Sequence, residues 1–165
     1  MNVADIKIMK LPHAVEQLPS YESEGAAGMD LCAAIGEDII LASRAWVKVP
    51  SGICIALPTN YEAQIRPRSG LAAKKGITIL NAPGTIDSDY RGEVQVILIN
   101  HGTEAFTIQR GARIAQMIIM PITRAKWQEC EALAETPRGA GGFGSTGGFG
   151  STGGFGKTSR LDRGC

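Results

Sequence analysis

The 165-residue sequence predicts an all-β domain, a sandwich or a barrel, on three observations. Short runs rich in Val and Ile recur about every ten residues, which is the spacing of strands in such folds. Gly, Pro, Asn and Asp stand between the runs. Only one stretch carries helix start and stop signals.

Taken in order, strands are expected at residues 4–10, which ends before Pro12, and 29–33, which follows Gly28. Residues 46–49 run up to Pro50 and residues 52–57 up to Pro58, so they read as two strands parted by Pro50 and Gly52. Residues 61–66 stop at Pro67. The helix is expected at Ser69–Lys75, with Ser69 capping its first turn and Gly76 ending it. Residues 78–80 and 93–100 follow as the arms of a hairpin, then 114–121 and 126–129.

At this length one compact domain buries a sufficient core without staples. The 17 basic and 16 acidic side chains nearly cancel, which argues against nucleic-acid binding by a long-range positive field. An anionic ligand must be met by a local cluster. The four cysteines form no CxxC pair, and His13 and His101 stand alone, so the expectation is reduced thiols in a cytoplasmic protein. Residues 1–10 lack the signal-peptide pattern, and every apolar run falls well short of the roughly 18 residues of a spanning helix. No membrane contact is expected.

Three places invite chemistry. The helix start at Arg68-Ser69-Gly70 offers backbone N–H groups and a guanidinium, a pairing that suits phosphate as well as it suits a plain helix cap. The hairpin connection, residues 81–92, is too long for a tight turn and carries Asp87, Asp89, Tyr90 and several glycines. Gln116 interrupts an apolar run and needs a partner, either backbone or ligand. Beyond Pro137 the composition changes: nine of the sixteen residues from 141 to 156 are glycine, and Gly-Gly-Phe-Gly occurs three times. Such a stretch packs no core, and a mobile tail is expected. The domain boundaries are therefore set at 1–137 and 138–165.

Together these pieces resemble the trimeric dUTPase family over nearly the whole chain, with five motifs in the family order. They are Ala27-Gly28-Met29-Asp30-Leu31, then Arg66-Pro67-Arg68-Ser69-Gly70-Leu71-Ala72, then the segment from Asn81 through Gly84-Thr85-Ile86-Asp87 to Tyr90-Arg91-Gly92-Glu93. The fourth is Arg113-Ile114-Ala115-Gln116-Met117, and the fifth runs from Arg138 through Gly142-Phe143-Gly144-Ser145-Thr146 to Gly147. The resemblance implies a distorted jelly roll, three subunits sharing their active sites, and a C-terminal arm that closes each site.

It also implies hydrolysis of dUTP to dUMP and pyrophosphate by water attack at the α-phosphorus, lowering dUTP and supplying dUMP for thymidylate synthesis. Asp87 is then the base, and Asp89, two residues away, is set aside by the motif alignment alone. Arg68, Ser69, Gly70 and Gln116 are the implied phosphate contacts. Asn81, Gly84, Thr85, Ile86 and Gln95 are the implied uracil contacts, and Tyr90 packs under the deoxyribose. Phe143 stacks on the base, while Arg138, Gly144, Ser145 and Thr146 belong to the lid over the γ-phosphate end. The triphosphate brings about four negative charges and a Mg2+ ion, which Asp30 touches through water.

The chain departs from the family in repeating the fifth-motif unit, so Phe149 and Phe155 compete on paper with Phe143. The spacing from Arg138 favours Phe143. The run ending in Gly156-Lys157-Thr158 falls short of a P-loop because Ser151 stands where its first glycine belongs. Two rival functions remain: a dCTP deaminase of the same fold, and a non-catalytic regulatory protein that uses the scaffold to bind a partner.

Overall fold

The computed structural model describes residues 3–141. They fall in two units, divided between Ala125 and Lys126. In chain order the first unit holds β1 (Lys7–Lys10), β2 (Met29–Cys32), β3 (Ile39–Leu41), β4 (Trp46–Ala56), β5 (Tyr61–Arg66), α1 (Ser69–Lys75), β6 (Ile77–Ile79), β7 (Gly84–Ile86), β8 (Glu93–Asn100), β9 (Phe106–Ile108) and β10 (Arg113–Pro121). One sheet has the order β1-β4-β8-β6, a second β2-β10-β5-β7, and β3 pairs with β9 in a third. Every pairing is antiparallel.

The alternation of β8 shows why these strands form. Val94, Val96 and Leu98 point inward and are buried, and so do Ala63 and Ile65 of β5. With Ile77, Ile79, Leu31 and Ile114 they make one core drawn from both large sheets. A fully buried side chain of this kind contributes about 1.5–3 kcal/mol. Asn100 is the polar exception at 0 % exposure. Its amide donates to the carbonyls of Leu41 and Glu104 and its oxygen accepts Gly102 N–H, so nothing is left unsatisfied.

The all-β class stands, with differences in detail. Residues 46–49 and 52–57 form one strand, because Pro50 and Gly52 bend β4 rather than end it. Its register with β8 jumps between Pro50 and Cys54, and Gly52 takes φ +73°. β3, β7 and β9 were not expected; each has three residues, too few to display a period. Residues 126–129 form no strand, and Trp127 is 91 % exposed. The helix occupies the expected residues, but its N-cap is Arg68, with no side-chain cap bond; Ser69 is the first helical residue.

The hairpin connection has a structure of its own. After β6 the chain leaves the first sheet, adds β7 to the edge of the second beside β5, and returns to begin β8. In the second unit residues 137–140 form a turn, with Gly139 N–H donating to the carbonyl of Thr136.

Candidate active site

Cross-strand register assembles the first half of the site. Gln116 on β10 lies opposite Asp30 on β2 and opposite Arg66 on β5, so the strand end that leads into Arg68 and α1 sits beside Asp30. The Asp30 carboxylate is held at both oxygens: Oδ1 accepts Arg68 Nε at 2.9 Å, and Oδ2 lies 3.2 Å from Arg113 Nη1. Arg68 Nη1 also donates to the Arg113 carbonyl at 3.2 Å, and Arg113 reaches Glu22 at 3.6 Å. Gln116 has a backbone partner here, its Nε2 donating to the Pro67 carbonyl at 2.8 Å. That bond fixes the turn preceding Arg68. Gly28 makes room for it, since a Cβ there would lie 2.7 Å from Gln116 Oε1.

Asp30, Arg68, Ser69, Gly70 and Gln116 line one cleft of about 470 Å³, together with Lys74 and Lys75. Its carboxylate is already paired, so the uncompensated charge is positive. The N–H groups of Ser69 and Gly70 open α1, where the helix has no carbonyl of its own to offer them. A positive cleft with free first-turn amides suits a polyphosphate. Beside it, Cys32 is held protonated: burial pushes its thiol up and Asp30 adds to this, against the opposing pull of Arg113 and Arg68.

The second half lies elsewhere on the unit. Asp87 lines a hollow of about 290 Å³ with Tyr61, Glu62, Ser88, Asp89, Ile122 and Arg124. Residues 87–90 form a turn closed by Tyr90 N–H donating to the Asp87 carbonyl at 3.1 Å, and Asp89 lines the same hollow as Asp87. Extended-chain alternation therefore has no bearing on the choice between them.

Thr85 pairs with Gln64 across β7 and β5, and because β7 is an edge strand its other backbone side has no strand partner among the described residues. Facing the same connection, β8 has lost its partner too: β6 stops at Ile79, opposite Leu98, and Leu80 N–H reaches only the Ile97 carbonyl. The backbone at Gln95 is left open on that side. Asn81 lies in the intervening turn, with its amide nitrogen 3.4 Å from where a Cβ on Gly84 would stand. Tyr90, 43 % exposed, donates its hydroxyl to the Glu93 carbonyl at 3.0 Å.

In the second unit Arg138 donates from Nε to the Gly141 carbonyl at 3.0 Å. Phe143, Gly144, Ser145 and Thr146 lie outside the described residues. Sequence reasoning passed over two side chains that the geometry brings forward. Arg113 opens the fourth motif, yet only the β2–β10 pairing reveals that it grips Asp30. His13 joins Glu93 at 2.8 Å across 80 residues of chain, a separation no local pattern spans.

The dUTPase family profile matches residues 15–147. The deoxyuridine 5'-triphosphate nucleotidohydrolase of Rickettsia conorii is 56% identical over 146 residues, covering 88% of this chain and 99% of that protein. Among solved structures, a Staphylococcus bacteriophage 80alpha dUTPase variant with dUpNHpp superposes with TM-score 0.78 at 22% identity, over 87% of this chain and 98% of that one. A variant of the dUTPase from phage phi11 of S. aureus, described with a structural Mg(II) ion, gives TM-score 0.69 at 20% identity, over 78% and 97% of the two chains. These structures share the fold, while the profile and the Rickettsia relative carry the assignment: the chain belongs to the dUTPase family.

Proposed function

We propose that this protein is a dUTP diphosphatase that cleaves dUTP to dUMP and pyrophosphate by attack of an Asp87-activated water on the α-phosphorus. The observation that carries the reading is the cleft in which Asp30 and Arg68 are joined at 2.9 Å beside the open first turn of α1. In it Arg68, Ser69, Gly70 and Gln116 bind phosphates. The open backbone around Asn81, Gly84, Thr85, Ile86 and Gln95 reads the uracil edge, rejecting cytosine because a donor and an acceptor exchange places. Tyr90 lies under the deoxyribose and leaves no room for a ribose hydroxyl. Asp87 takes a proton from the attacking water and holds it while pyrophosphate leaves. An arm beginning at residue 138 supplies Arg138, Phe143, Gly144, Ser145 and Thr146 as the lid.

The residues fit a Mg2+ ion carried by the substrate rather than caged by protein. Among the described residues no three His, Cys, Asp or Glu side chains gather to hold a metal, and both Asp30 oxygens are engaged by arginines. Asp30 is then placed to accept from the ion's water shell. Bound to the triphosphate, Mg2+ neutralises charge and polarises the phosphoryl oxygens.

Within one copy of the chain the Asp30 cleft and the Asp87 hollow share no lining residue. This supports an assembly in which each site takes its parts from more than one subunit, and the family resemblance makes that assembly a homotrimer. No helix among the described residues is long and apolar enough to cross a membrane, and Cys32, Cys54 and Cys130 are free thiols. The reading places the protein in the cytoplasm, with no nucleic-acid or membrane partner.

The test is pyrophosphate release from dUTP, dCTP, dTTP and UTP with Mg2+, for the intact chain, Asp87→Asn and a chain ending at Pro137. Release from dUTP alone, abolished in both variants, is the expected result. Ammonia release from dCTP would replace the reading by a deaminase. Silence with every nucleotide would turn it toward a regulatory binding protein.

A further inference from the structure

Resting on the reading of Tyr90 as the sugar platform, we propose that Glu93 is a positioning residue that fixes Tyr90 and thereby sets the discrimination between dUTP and UTP. Tyr90 is half exposed, so core packing alone does not orient its ring. Two contacts do. The ring folds back over Gly92, where a Cβ would fall 2.4 Å from the hydroxyl oxygen, and the hydroxyl donates to the Glu93 carbonyl at 3.0 Å. The pose of the ring is thus referenced to the backbone at residues 92–93.

That backbone is weakly held by its own ladder. Glu93 is the first residue of β8, opposite Cys54, at the edge of the register jump in β4. Its side chain takes over the anchoring. Oε1 accepts Gly52 N–H at 2.8 Å and lies 2.8 Å from His13 Nε2, while Gln95 Nε2 approaches Oε2 at 3.4 Å. The carboxylate is only 16 % exposed, unlike the freely solvated surface pairs that contribute little.

Each donor is itself secured. Leu11 N–H donates to the Gly52 carbonyl at 2.8 Å, and Gly52 packs so closely on Ala14 that a Cβ would lie 2.4 Å from Ala14 Cα. Arg110 clamps the same N-terminal segment, donating through Nη2 to the carbonyls of His13 and Ala14 and through Nη1 to that of Ile35. The brace therefore runs from Tyr90 through Glu93 to two rigid supports that lie far away in sequence. A platform shifted by a fraction of an ångström admits a 2'-hydroxyl, whereas the phosphate cleft takes no part in the brace.

The test is kcat and KM for dUTP and UTP with Mg2+, measured on the intact chain, Glu93→Ala, Glu93→Gln, His13→Ala and Tyr90→Ala, with a thermal melt of each. Glu93→Ala is expected to lower the dUTP-to-UTP ratio of kcat/KM by about tenfold or more, the scale on which pocket shape discriminates one small group. Its effect falls on KM for dUTP rather than on kcat. His13→Ala moves the ratio the same way by less, because the Gly52 bond survives. Glu93→Gln, whose amide oxygen still accepts from Gly52 and His13, recovers most of it. A ratio that collapses in Tyr90→Ala but holds in a folded Glu93→Ala overturns the proposal and leaves the Tyr90 reading intact. So does a parallel loss of kcat for both nucleotides that tracks the melting temperature. A ratio unmoved by Tyr90→Ala removes the Tyr90 reading itself.

Discussion

At Glu93 burial and hydrogen bonding act in opposite directions on one carboxyl group. Burial pushes its pKa up, but bonds from His13, Gly52 and Gln95 and the charge of His13 outweigh it, so the carboxyl titrates below the ordinary glutamate range. A carboxyl whose folded pKa is depressed contributes stability that is fully present above its unfolded value, about 4.3, and lost as pH falls through the folded one. The stability gap between the intact chain and Glu93→Gln is therefore expected to be full well above about pH 4.3 and to close as pH falls below it. Paired melts across that range measure it, and a gap that stays constant would show that the carboxylate charge plays no part in the His13 bond. Asp30 is held differently, by Arg68 and Arg113 together. In the proposed reaction Arg68 turns toward phosphate, and Arg113 is the partner that keeps Asp30 in place when it does.

The junction of α1 with the loop after β8 is where an element boundary leaves least freedom. Gly76 ends the helix at φ 67°, donates to the Ala72 carbonyl and accepts His101 N–H. A Cβ there would stand 2.6 Å from Gly102 N, and one on Gly102 would stand 2.6 Å from the Lys75 carbonyl oxygen. Gly76→Ala is expected to cost about 2–4 kcal/mol, left-handed strain and overlap combined. Gly36→Ala, with nothing within 4 Å of its Cβ, is the control and stays close to the parent in urea melts. The cap at Gly76 was legible in the sequence because a glycine after a short helical run has a local meaning. So was the hairpin of β6 and β8, whose arms carry their own apolar pattern. β7 was not, since three residues, Gly84, Thr85 and Ile86, take strand form only by pairing with β5 in the other sheet. Pro50 and Gly52 misled for the converse reason: residues that end a strand in isolation become a bulge when β8 continues alongside. The candidate site divides in the same way. Asp30, Arg68 and Gln116 stood out as residue types within motifs, but that they share one cleft follows from β2–β10–β5 register, which sequence does not display.

At the scale of the whole molecule, the separation of the Asp30 cleft from the Asp87 hollow makes a prediction about assembly. If one copy supplies Arg68 and another supplies Asp87 to the same site, two inactive variants are complementary. Arg68→Ala lacks the phosphate grip but keeps Asp87, and Asp87→Asn lacks the base but keeps Arg68. Each alone releases no pyrophosphate from dUTP. Unfolded together and refolded as a mixture, equal amounts are expected to restore activity, because random assortment makes about a quarter of shared sites whole. The recovered rate should elute with the oligomer on gel filtration and fall away as either variant is brought into large excess. Mixing without refolding measures subunit exchange, and activity then appears only as fast as the copies trade places. A refolded mixture that stays inactive while each variant remains folded and oligomeric would mean that Asp87 and Arg68 act from the same chain, through a movement that brings the two hollows together.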